Sequence, residues 1–204
     1  IVGNKDRVFQ QSVDQLGEEV PRCRAVSLVV SWFGSDLRCG HCGLEPKVEQ
    51  NAWDGAGAPW EAGGRNRRTA ARIALKDGRP VDGGTPSDRS VREAIAALRA
   101  RGQAVMFYPF LLMEQQEGNG LSDPWSGAPD QPVMPWRGRI TLSVAPGREG
   151  SPDGTGAAEA EVAAFMGAAQ PSDFTISGGR VIYTGDPADR GYRRFVLHYA
   201  CLCQ

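Results

Sequence analysis

Two cysteines separated by two residues, in Cys39-Gly-His-Cys42, carry the spacing of a thiol redox pair. Such a pair works when a helix N-terminus lowers the pKa of one thiol and a strand leads straight into the motif. Here Gly43 and Pro46 come at once, so no helix starts at the motif. Zinc is the other chemistry this spacing allows, with Cys39, His41 and Cys42 as ligands and Cys201 or Cys203 as the fourth. Closed zinc sites usually draw on two close-spaced pairs, whereas Cys201 and Cys203 stand two apart on a helical pattern and point to different sides. Ordinary loop thiols are the simpler reading, and a thiol-redox or zinc protein built on Cys39 and Cys42 stays open as an alternative.

Carboxylates beside aromatic rings offer a second chemistry. Glycoside hydrolysis needs two positioned carboxylates flanking the scissile bond. In parallel α/β barrels, chemistry sits at the carboxyl ends of strands and in the loops after them. Asp36 and Glu114 each come after a buried-strand pattern, which makes them the candidate catalytic pair. Long loops succeed both, and they contain Trp53, Trp60, Trp125 and Trp136. Aromatic rings stack on the apolar faces of sugars. The candidate substrate-binding residues are Trp32, Tyr108, Trp125 and Trp136, with Arg137 beside the last. Packing of a loop against the core is the competing role for each tryptophan. His198 lies beside an apolar helix stripe and fits packing, Asp88 fits helix capping, and Asp123 and Asp130 fit turns among prolines. There is no Gly-x-Ser-x-Gly elbow, phosphate loop or dinucleotide fingerprint, and no cofactor or metal is expected.

The elements that must position these groups read as an α/β alternation. Phe9, Val13 and Leu16 form one apolar face of a first helix, which Pro21 ends. Ala25 to Phe33 is short, β-branched and continuously apolar, as a strand buried on both faces would be. After a loop-rich excursion, Asp77-Gly78 suits a small hairpin. Thr85 as cap, Pro86 and Asp88 start a helix whose stripe is Val91, Ala94, Ile95 and Leu98, and Gly102 ends it. Ala104 to Phe110 is a second buried strand, with Pro109 near its end. Strand, excursion, helix and strand make a βαβ unit, with parallel strands and a right-handed crossover. A short strand at Arg139 to Val144, a helix at Gly156 to Met166, a hairpin around Gly178-Gly179 and a helix from Tyr192 complete the pattern.

Composition excludes several classes. The 204 residues hold 23 Lys and Arg against 24 Asp and Glu, a net charge of -1, so no basic field exists for direct nucleic-acid binding or a membrane surface. No apolar run approaches the roughly 18 residues of a transmembrane segment. Five cysteines do not make a disulfide framework. The chain begins at Ile1 without a methionine and ends at Gln204 directly after a helical pattern, so we expect an excised piece, truncated at both ends.

Six segments occur in order: Phe9-Gln-Gln-Ser-Val-Asp-Gln-Leu16, Ser27-Leu-Val-Val-Ser-Trp-Phe-Gly-Ser-Asp-Leu-Arg38, Gly83-Gly-Thr-Pro-Ser-Asp88, Phe107-Tyr-Pro-Phe110, Pro135-Trp-Arg-Gly-Arg-Ile-Thr141 and Tyr192-Arg-Arg-Phe-Val-Leu-His-Tyr-Ala200. Together they resemble the TIM-barrel-like domain of the tail-tip hub, or host-specificity, protein of gene transfer agents and related phages. The resemblance implies an α/β fold over residues 1–204: a single incomplete, partial TIM-barrel-like domain with long loop insertions and small hairpins. It implies a phage-like particle tail, made in the bacterial cytoplasm, with other tail and baseplate proteins as partners and a homo-oligomer in the full-length chain. It further implies a glycoside-hydrolase-like barrel that binds cell-surface polysaccharide during adsorption or DNA delivery. The alternative is an active glycan or peptidoglycan hydrolase that opens the cell envelope.

Overall fold

The computed structural model describes residues 2–55, 57–135 and 139–204, with side chains from Phe9 onward. Helix α1 (Val2–Glu19) leads into β1 (Ala25–Gly34). A long excursion then carries only two-residue strands: β2 (Leu44–Glu45), β3 (Lys47–Val48), β4 (Glu61–Ala62), β5 (Arg65–Asn66), β6 (Ala71–Arg72), β7 (Leu75–Lys76) and β8 (Arg79–Pro80). Helix α2 (Asp88–Ala100) returns to β9 (Ala104–Met113). Helix α3 (Gly156–Met166), the hairpin β10 (Phe174–Ser177) and β11 (Arg180–Tyr183), and α4 (Tyr192–Leu202) complete the chain.

β1 and β9 lie parallel in full register, from Ala25 beside Ala104 to Gly34 beside Met113. The βαβ unit is therefore present, with the excursion inserted after its first strand. The barrel is not. Among the described residues the largest sheet has three strands, in the order β2-β1-β9, and β2 runs antiparallel to the end of β1. The remaining strands form four separate two-stranded ladders. A barrel needs each strand paired on both sides until the sheet closes. The glycine- and proline-rich excursions contain no further apolar run long enough to supply such strands. The expected strand at Arg139 to Val144 shrinks to one bridge, Arg38 with Thr141. There the Ser143 N–H turns instead to the Glu161 carboxylate, at 2.7 Å.

Helices cover one face of the β1–β9 pair. Val91, Ala94 and Leu98 of α2 are buried, as are Phe195, His198, Tyr199 and Leu202 of α4. They enclose Val30, Trp32 and Met113 in the main core. The Trp32 indole N–H donates to the Tyr199 hydroxyl at 2.9 Å, and its ring lies 5.2 Å from that of Phe195. His198 Nε2 meets Asp88 Oδ1 at 3.0 Å, tying α4 to the start of α2. The other face is bare: Ala25, Ser27 and Val29 of β1 and Ala104, Met106 and Tyr108 of β9 are exposed. Burial of the strands on both faces, expected from their apolar runs, thus holds on one face only. Pro109 sits inside β9 rather than near its end, a position that an edge strand tolerates.

Two glycine contacts shape the connections. The α2 cap is Ser87, whose hydroxyl accepts from the Ser90 N–H. Thr85, expected as the cap, is freed for another task. Its N–H donates to the Lys47 carbonyl at 2.9 Å, and Gly84 before it has φ +81°. A Cβ at Gly84 would stand 2.7 Å from that same carbonyl oxygen. Farther on, Gly167 at the end of α3 and Gly191 at the start of α4 meet backbone to backbone. The Asp189 carboxylate holds this junction by accepting the N–H groups of Gly191, Ala168 and Ala169, at 2.7, 3.1 and 2.9 Å.

Gly84→Ala combines a strained positive φ with a backbone clash, and is expected to cost about 1–3 kcal/mol. Urea unfolding should show a lower midpoint with an unchanged slope.

Candidate functional site

Asp36 and Glu114 stand just beyond the ends of β1 and β9, as expected, and both are buried. Each is occupied by partners within the chain. Asp36 accepts the Arg38 backbone N–H at 2.8 Å and the Arg38 guanidinium at 3.0 Å from Nε and 2.6 Å from Nη2. The Gln131 amide adds a fourth bond at 2.7 Å, while its oxygen accepts the Leu37 N–H at 3.0 Å. Burial alone would push the Asp36 carboxyl up. The bonds from Arg38 and Gln131 outweigh it and hold the carboxyl below its ordinary value. A carboxylate held in its charged form and ringed by donors is a poor general acid.

Glu114 is clamped by different groups. Its Oε1 pairs with Lys47 Nζ at 2.5 Å, and its Oε2 accepts the Ala74 N–H at 2.8 Å. The same region holds Thr85. The Thr85 hydroxyl donates to the Ser31 carbonyl of β1 at 2.7 Å and accepts the Lys47 N–H at 3.2 Å. The Thr85 carbonyl accepts the Trp60 indole N–H at 2.7 Å. Strand end, excursion and helix start are joined through one residue. Asp36 and Glu114 share none of these partners.

The aromatic candidates divide. Trp32 is buried in the core and offers no stacking face. Tyr108 is 49% exposed, but on the bare sheet face rather than at the strand end. Trp125 is exposed, with its indole N–H fixed to the Arg139 carbonyl at 2.7 Å and the Arg139 guanidinium 5.6 Å over the ring. Trp136 and Arg137 lie outside the described residues. Trp53, in the loop after β3, is 65% exposed. The Gln50 side chain holds its loop, donating to the Trp53 carbonyl at 2.9 Å and accepting its N–H at 3.1 Å. Trp60 packs inward instead, in a small core with Val48, Ala62 and Ala70.

The two close-spaced thiols are not activated. Cys39 opens a three-residue 3-10 turn, and its thiol faces Glu161 Oε2 at 3.9 Å. Burial first, and then the charge of Glu161, raise the Cys39 pKa. Burial pushes Cys42 up to about 11. All five cysteines are free. Among the described residues, no group of three or more His, Cys, Asp or Glu side chains could hold a metal ion. None of the helices described is long and apolar enough to cross a membrane.

Nothing local in the sequence marks Lys47, Thr85 or Gln131 as partners of the strand-end carboxylates and loops. Lys47 and Glu114 are 67 residues apart, and no local pattern links them. Arg38 carried a signal, because Asp36-Leu37-Arg38 sets opposite charges two residues apart at a strand end.

No protein-family model matches the chain, and no curated protein matches it.

These environments set two outcomes. The depressed Asp36 pKa contributes stability that is fully present above the ordinary value of 3.8 and lost as the pH falls from there through the folded-state value. Asp36→Asn is expected to lower stability at pH 7 by about 1–3 kcal/mol and to flatten this acid limb in urea titrations. The Cys42 thiol, moved from 9.0 to about 11, should present about 100-fold less thiolate at pH 8 than an ordinary cysteine. A thiol reagent should therefore label Cys42 at the ordinary rate only after unfolding.

Proposed function

We propose that this chain is an adsorption component of a phage-like tail tip, assembling with other tail and baseplate proteins and holding cell-surface glycan on its exposed loops. The six ordered segments that resemble the tail-tip hub family support the tail assignment. Several of them build the centre of the molecule. Ser27 to Arg38 supplies β1 and the Asp36–Arg38 pair, Gly83 to Asp88 contains the Thr85 junction, and Tyr192 to Ala200 contributes the core side of α4. On this reading the protein is made in the bacterial cytoplasm and works in the particle tail.

The choice of glycan binding over hydrolysis rests on one observation: both strand-end carboxylates are consumed by internal partners, Asp36 by Arg38 and Gln131 and Glu114 by Lys47 and Ala74. A glycosidase needs one carboxyl group able to give a proton and a second facing the sugar or a water. Neither carboxylate is placed for that work. Trp53 and Trp125, on loops braced by Gln50 and Arg139, are rings available for stacking on sugars.

The test is retention of the purified chain on envelope polysaccharide, with release of reducing ends measured in parallel. Retention without sugar release is expected. Trp53→Ala and Trp125→Ala should each weaken retention by about 5- to 10-fold, the size of one lost aromatic contact. Reducing ends that appear with the wild type and vanish with Glu114→Gln would favour the hydrolase. Absence of retention on every glycan would remove the binding role.

A further inference from the structure

The bare face of the β1–β9 pair ends in an open edge. Among the described residues, β1 is the only strand paired with β9. In the first half of β9, exposure alternates along the strand: Ala104, Met106 and Tyr108 face solvent, and Met106 is 63% exposed. Val29, the β1 neighbour of Tyr108, is 51% exposed on the same face. Open edges are normally guarded by charge, by proline or by shortness. The ten residues of β9 contain no charge, and Pro109 guards only the second half of the strand. The segment Ala104–Tyr108 is an unguarded edge.

We propose that this segment pairs antiparallel with the same segment of a second copy, about a two-fold axis at Met106. An isologous contact requires a surface that complements itself, and this one does. Met106 meets Met106, while small Ala104 stands opposite large Tyr108 in both directions. The edge holds no like charges to repel, and a net charge of -1 per chain adds little repulsion between copies. Main-chain hydrogen bonds across the edge join two three-stranded sheets into one of six.

Area sets the strength of the contact. Five residues at about 3.3 Å each, across a sheet about 10 Å thick, give roughly 170 Å² per partner, far below the roughly 800 Å² of a stable interface. The pairing is therefore reversible and depends on concentration.

Cysteine cross-linking and hydrogen exchange test it on the isolated chain, so failure here leaves the glycan-binding experiment untouched. In a Cys23→Ser/Cys203→Ser background, Met106→Cys should form a covalent dimer on mild oxidation about ten-fold faster than Ile176→Cys, an exposed position on the far hairpin. Adding Tyr108→Lys should abolish that advantage. In the unaltered chain, amide protection over Ala104–Tyr108 should rise with protein concentration, a result that depends on no variant folding. Equal cross-linking rates at the two positions would overturn the pairing. So would edge amides that exchange freely at every concentration, and that result would leave the edge to an extended strand of another protein.

Discussion

The Thr85 side chain is the constraint on which the rest of the molecule depends. A β strand that leaves its sheet for a long excursion must bring the chain back to the strand's own end before the next helix can start. Hydrophobic burial alone does not fix that return, because the excursion has only a small core of its own, around Trp60. The Thr85 hydroxyl and its backbone groups supply the missing geometry, gripping Ser31 on β1, Lys47 in the excursion and the Trp60 indole. Lys47 then reaches Glu114 at the end of β9. Both parallel strands are thereby tied to one loop. Severing this junction would free the excursion and leave a buried charge unpaired, a far larger cost than the loss of one hydrogen bond in solvent.

The same wiring explains why the strand ends are poor in chemistry. A buried carboxylate can be spent on structure or kept for reaction, and here both are spent on structure. The groups left free are aromatic and lie on the loop surface. That division is what the proposed glycan-binding role requires. Rigid loops cost less entropy on binding than mobile ones, and side-chain bonds at the roots of Trp53, from Gln50, and of Trp125, from Asp123, hold these loops.

Much of the backbone was legible from local signals. Helix α2 announces itself through Pro86, Asp88 and Gly102, α4 through its apolar stripe, and the two hairpins through Asp77-Gly78 and Gly178-Gly179. Those signals act within a few residues. The cap was misplaced by two positions because Thr85 and Ser87 are both competent caps, and only the tertiary pull of Lys47 and Ser31 on Thr85 decides between them. The barrel was inferred from two apolar strands and a resemblance. The exposed face of those strands was invisible, since an apolar run reads alike whether one face is covered or two. The strand patterns place Asp36 and Glu114 at the strand ends, but no pattern in the sequence names Gln131 or Lys47 as their partners. The Lys47–Glu114 pair, far apart in sequence, leaves no periodic trace at all.

The backbone contact between Gly167 and Gly191 has a consequence for how this protein can diversify. Residues 168–190 leave and rejoin the molecule at a single pinch, cinched by Asp189. The β10–β11 hairpin between those points is a cassette, seated on the main core through Phe174 and Val181. The tip is tied back as well, by Arg92 donating to the Gly179 carbonyl and by the Arg180–Glu61 ion pair, so a change in the hairpin reaches α3 and α4 through the pinch and these few side chains. On the tail-tip reading proposed above, a hairpin hung from one pinch is the segment whose replacement would disturb the helices least.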